Sequence, residues 1–116
     1  MKLTEKAKEQ FEKWYLILIR KERKDYLKFT NEQVLRKFYR LLPSQQWGTY
    51  QDWADSLGYD IYFTPYYDWT KERDTGFKWY CAKRNDSYIS ETGLKDTIQE
   101  ARNAAINKLN ELINEK

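Results

Sequence analysis

Between Tyr59 and Trp69 the chain reads YDIYFTPYYDW, six aromatic residues in eleven, with two alternating sets of positions. A period of two belongs to a β-strand, whose successive side chains point to opposite faces. Ile61, Phe63, Tyr67 and Trp69 fall on one face with Pro65 in register, and Asp60, Tyr62, Thr64, Tyr66 and Asp68 on the other. Proline donates no ladder hydrogen bond, so this strand is expected at a sheet edge or bulged at Pro65. Lys71 to Gly76 reads as a polar hairpin loop. Phe77, Trp79 and Cys81 then alternate with Lys78, Tyr80 and Ala82 on a second strand. Lys83 to Ser87 reads as a second turn, and Tyr88 to Ser90 as a short third strand.

Rings are numerous, 5 Trp, 10 Tyr and 5 Phe in 116 residues, so they must carry much of the burial. Ile61, Phe63, Tyr67, Trp69, Phe77 and Trp79 form one apolar face, which is expected in the core. Each such side chain is worth about 1.5–3 kcal/mol when buried. A hairpin alone is marginal in water, so the meander needs the terminal helix, and the first helix too, against this face.

Helical periodicity brackets the strands. Residues 3–20 place Leu3, Ala7, Phe11, Trp14 and Leu18 on one stripe, flanked by Tyr15 and Ile19. Thr30 followed by Gln33 is a capping-box pattern, so a helix begins near Asn31 with Val34, Leu35, Phe38, Leu41 and Leu42 inward. Pro43 ends it or opens the next element. Trp47, Tyr50, Trp53, Ala54 and Leu57 share a face of a third helix, and Gly58 suits the left-handed position after it. Thr97 and Glu100 repeat the capping pattern ahead of Ile98, Ala101, Ala105, Leu109 and Leu112, with Ile106 and Ile113 beside them. The expected fold is α+β: three N-terminal helices, a two- or three-stranded antiparallel meander, and a long C-terminal helix on the sheet. Its length suits one domain.

Net charge is +3 and uneven, since residues 1–58 carry +4 and residues 59–116 carry −1. The excess centres on IRKERKDYLK, Ile19 to Lys28. Arg20, Lys21, Arg23 and Lys24 are either a solvated helix end or a handle for a polyanion or an acidic protein. No apolar run is long enough for a transmembrane helix, and the N-terminal residues lack a signal-peptide core. One cysteine, Cys81, forms no intramolecular disulfide and fits a reducing compartment.

Several chemistries drop out. The chain has no histidine, so His-dependent nucleophilic catalysis is absent, and one thiol cannot close a His/Cys zinc site. Neither glycine-rich phosphate loop motif occurs. Asp52 with Asp55, and Asp60 with Asp68, are carboxylate pairs of a kind that can do acid–base work or hold a hard cation, but such pairs also arise by chance among 18 acids. No catalytic residue, metal ligand or cofactor is assigned.

The outward strand face is the candidate site. Tyr62, Tyr66 and Tyr80, with Lys78 and the nearby Lys83 and Arg84, suit a protein partner, because tyrosine is enriched in binding hot spots. The same tyrosines with Arg20, Lys21, Arg23 and Lys24 suit single-stranded nucleic acid. Asp60 and Asp68 repel phosphate, which ranks that alternative lower. Tyrosine is also simply a good strand former that tolerates half exposure. A homodimer through this face or an edge strand is a further possibility.

Three stretches carry a resemblance: FEKWY at 11–15, QQWGTYQDWADSLGYDI at 45–61 and EARNAAINKLNEL at 100–112. They resemble small uncharacterised proteins encoded by bacteriophages and prophages of Bacteroides-type bacteria. Those proteins share an aromatic N-terminal helix, a WG-x-Y-x-D-x-x-D-S-x-G-like middle and an EAR-x-x-AI terminal helix. The pattern covers about half of the chain, and its middle segment is the most specific. The resemblance transfers no functional residue. It implies a cytoplasmic protein of a bacterial host cell that binds a host factor, a host defence component or another phage protein.

Overall fold

The computed structural model describes residues 2–68, 73–84 and 89–115. Helix α1 spans Glu5–Glu22, followed by a 3-10 helix at Lys24–Lys28, α2 at Asn31–Tyr39 and α3 at Pro43–Ser56. Strands β1 (Tyr59–Asp68), β2 (Arg73–Lys83) and β3 (Ile89–Lys95) then form an antiparallel sheet in that order, and α4 spans Ile98–Asn114. The expected α+β architecture is present, with α4 packed across all three strands. One partner differs from expectation: α3, not α1, is the second helix on the sheet, and α1 packs against α4, α2 and α3.

Helix α1 begins two residues later than its periodicity suggests. Leu3 is buried ahead of it, and the buried line continues through Ala7, Phe11 and Tyr15, while Trp14 and Leu18 are only half-buried. The first turn is capped from α4. Asn110 Oδ1 accepts from the Thr4 N–H, and Asn114 Oδ1 accepts from the Ala7 N–H, both at 2.8 Å. Both asparagine amides donate to Thr4 Oγ1. Two of the N–H groups orphaned at a helix start thereby find acceptors on another helix.

The capping box at Thr30 forms fully: the Gln33 N–H donates to Thr30 Oγ1, and the Thr30 N–H donates to Gln33 Oε1. Val34 and Phe38 are buried, but Leu41 and Leu42 are not; Leu42 is 65% exposed. The residue before a proline is driven out of the helical region, and Leu42 has ψ 149°, so α2 stops at Tyr39 and the two leucines lie in the link. The Gln46 amide donates to the Phe38, Tyr39 and Leu41 carbonyls, closing the end of α2. Pro43 opens α3, where no N–H is needed. Trp47, Tyr50, Trp53 and Ala54 face inward, Leu57 is exposed past the helix end, and Gly58 takes φ +85° as the left-handed residue after it.

In the sheet, Tyr59, Ile61, Trp79 and Cys81 are buried, and Phe63 and Phe77 are half-buried against them. β1 is an edge strand, as Pro65 requires. Its register shifts between Tyr66 and Tyr67, and beyond that irregularity Tyr67 is exposed rather than in the core. Trp69 and Tyr88, and residues 71, 72 and 85–87 of the expected turns, lie outside the described residues. Residues 73–76, expected in a loop, belong to β2, and β3 runs five residues beyond Ser90. Gly93 pairs with Trp79, and a Cβ there would meet the indole Nε1 at 2.8 Å; the bare backbone makes room for the ring. Thr97 Oγ1 accepts from the Glu100 N–H to start α4, whose Ala101, Ala105, Ile106, Leu109 and Ile113 are buried while Ile98 is exposed.

Candidate protein-binding face

With α3 and α4 on one side of the sheet, the reverse side is open. β1 and β2 set the rows of that side: Asp60 opposite Ala82, Tyr62 opposite Tyr80, Thr64 opposite Lys78, and Tyr66 opposite Gly76. Tyr62 and Tyr66 are each 37% exposed, and Tyr80 is partly exposed. The Tyr62 and Tyr80 rings stack with centroids 4.5 Å apart and planes 15° from parallel. Lys78 Nζ sits 5.6 Å from the Tyr80 centroid, a cation–π contact along the strand. The result is an aromatic platform with an ammonium at its margin.

The third strand widens the platform in a way the residue pattern did not suggest. Thr92 stands opposite Tyr80 and Leu94 opposite Lys78, and Leu94 is 49% exposed. The alternation of Thr92 and Leu94 was the available signal, but it falls beyond the short strand expected at Tyr88–Ser90.

Tyr62, Tyr66, Tyr80 and Lys78 are therefore brought together; Lys83 is not with them, and Arg84 is tied to Asp60 at the end of the same face. Lys83 pairs with buried Tyr59, so it has the parity of the core face and is exposed only because it ends the sheet. Arg84 forms a clamp. Its Nη2 donates to Asp60 Oδ1 at 2.8 Å and to Asp55 Oδ1, and its N–H donates to the Gly58 carbonyl. Hydrogen bonds to Asp60 and then Asp55 raise the guanidinium above its ordinary range. Arg84 thus ties the end of β2 to the α3–β1 corner.

The alternative basic set is also divided. Arg20 donates to the Phe29 carbonyl at 2.9 Å and to Asn31 Oδ1 at 2.7 Å, bracing the turn into α2. Arg23 pairs with Asp25 and lies 4.8 Å from the Tyr26 ring centroid. Lys21 and Lys24 are exposed.

Asp55 and Asp60, from the two different expected pairs, share the Arg84 guanidinium, and Asp52 is exposed. Among the described residues no group of three or more His, Cys, Asp or Glu could hold a metal ion. No helix among them is long and apolar enough to cross a membrane. Cys81 is fully buried.

No protein-family model, curated protein or solved structure matches this chain.

Proposed function

We propose that this chain is a small, non-enzymatic accessory protein of a bacteriophage or prophage that docks a protein partner on the open face of its sheet. The partner would be a host factor, a host defence component or another phage protein inside a bacterial cell. The observation that carries this reading is the exposed Tyr62–Tyr80 stack, with Lys78 beside it, on a sheet whose opposite side supplies the core. Stacked tyrosines offer large amphipathic area with little side-chain freedom left to lose on binding, which is why Tyr recurs in hot spots. Leu94 adds an apolar margin.

Docking across the face is favoured over strand addition at the β1 edge. Pro65 cannot donate to an added strand, and the register shift after Tyr66 breaks the edge's regularity. Asp60 on the same face disfavours phosphate.

Affinity capture from nuclease-treated host lysate at moderate salt tests the reading. The wild-type chain should retain a protein that the Tyr62→Ala/Tyr80→Ala variant loses and a Lys13→Ala control keeps. Equal retention by the double variant rejects this face.

A further inference from the structure

Residues 20–40 hold eight Lys/Arg against three Asp/Glu, a net +5, while the remainder of the chain sums to −2. The fold gathers this charge into one elbow: the last turn of α1, the 3-10 helix and α2. Arg20 braces the elbow from within through the Phe29 carbonyl and Asn31. Two of the three acids are already matched, Asp25 by Arg23 and Glu32 by Arg36.

On the outer side of the elbow lies a cleft of about 250 Å³ lined by Phe29, Gln33, Arg36, Lys37 and Arg40. Phe29 is half-buried and stands edge-to-face with Tyr26 at 5.6 Å. The Lys28 and Lys37 ammoniums lie 5.4 and 5.1 Å from its centroid. Lys37 and Arg40 make no ion pair among the described residues. Unmatched cations therefore converge on an aromatic floor, within an excess of positive charge that the rest of the molecule lacks.

We propose that this cleft binds the backbone of a single-stranded nucleic acid. Lys37 and Arg40, with Lys28 beside Phe29 and with Arg36, which also holds Glu32, meet neighbouring phosphates, the Gln33 amide donates to a phosphate or sugar oxygen, and Phe29 packs against a sugar or base. A basic groove with an aromatic platform is how sequence-tolerant single-strand surfaces are built. An acidic peptide would satisfy the charges but leave the ring without a flat partner. The volume lies below the roughly 300–1,000 Å³ of pockets that enclose a whole small molecule, so the cleft suits one unit of a longer chain. Helices that read a duplex place their N-terminal residues in the groove, whereas these cations stand on the last turns of α2 and just past its end. The site is separate in sequence from the tyrosine face, and neither proposal depends on the other.

Fluorescence anisotropy with a labelled oligothymidylate of about 15 nucleotides tests the site. Three or four neutralised phosphates should weaken binding about 30-fold between roughly 50 and 200 mM salt. Lys37→Glu/Arg40→Glu should abolish binding, and the milder Lys37→Gln/Arg40→Gln, with unchanged circular dichroism, should weaken it about tenfold. Tyr62→Ala/Tyr80→Ala should leave it unchanged. No binding at the lower salt, wild-type affinity in the Gln variant, or equal competition by polyglutamate and unlabelled oligothymidylate would each overturn the proposal.

Discussion

The Tyr62 ring lies 4.5 Å from the Tyr80 ring and 15° from parallel with it, on directly paired positions of two adjacent strands. A cross-strand aromatic pair contributes about 0.2–1 kcal/mol to a sheet, while a hot-spot tyrosine contributes about 2 kcal/mol or more to binding. These magnitudes separate fold from function. Tyr62→Ala/Tyr80→Ala should lower stability by about 1 kcal/mol or less and weaken partner binding at least about 30-fold. Urea denaturation and calorimetric titration with the captured partner measure the two effects. Comparable losses in both would mean that the stack serves the fold alone.

Asn114 reaches from α4 to the Ala7 N–H, and Asn110 to the Thr4 N–H. Helix caps are usually local; this one joins elements more than 100 residues apart in sequence. Asn114→Ala strands the Ala7 N–H and should cost about 1 kcal/mol, as loss of a helix cap commonly does. The melting temperature should fall by about 4 °C in a domain of this size. No change in melting would show that α4 does not cap α1 in solution.

Which features were legible in the residues follows from how local their causes are. The Thr30–Gln33 box, Pro43 at the head of α3 and Gly58 after it depend on groups within four residues, and each forms as its pattern suggests. The alternation from Asp60 to Thr64 sorts core from surface because a pleat allows only two sides. The misses arise where neighbours distant in sequence decide. Tyr67 leaves the core at a register shift set by pairing with β2, and the helix that joins α4 on the sheet is chosen by the path of the chain. The Arg84 clamp was not legible either, because nothing in Lys83–Ser87 announces that Asp55 and Asp60 converge on it. The candidate face was half legible: its tyrosines alternate visibly, but Leu94 joins them only through the length of β3.

Phe11 is the centre of the helical side of the core. Its ring centroid lies 4.9–6.0 Å from those of Trp14, Tyr15, Phe38, Tyr50 and Trp53, which come from three helices. Phe11→Ala removes a buried ring and leaves a cavity that five rings cannot readily close, at a cost of about 3–5 kcal/mol. That is a large share of the roughly 5–15 kcal/mol that holds a domain folded. Leu42→Ala deletes a similarly apolar but exposed side chain and should fall within about 0.5 kcal/mol of wild type. A chemical melt of both variants distinguishes the two environments. Equal costs would displace the core from Phe11.

Tyr50 places a polar group where the fold gains nothing from it. Its side chain is fully buried, and its hydroxyl has no hydrogen-bond partner among the described residues. Burial, and next the Glu12 carboxylate, push its phenol up to about 12. Burial also raises Tyr15 and Tyr39, and Tyr39 is raised further by donating to Glu12 at 2.7 Å. In the unfolded chain these phenols ionise near 10. The unfolded state therefore loses protons first as pH rises. Stability is complete below about pH 10 and declines as pH climbs through the raised values. The melting temperature should be flat across about pH 7–9 and fall above about 10. Tyr50→Phe removes both the stranded hydroxyl and its titration. It should raise stability by about 1 kcal/mol at neutral pH and make the alkaline decline shallower. A Tyr50→Phe variant that is less stable at pH 7, with the alkaline limb unchanged, would show that the hydroxyl has a partner in solution.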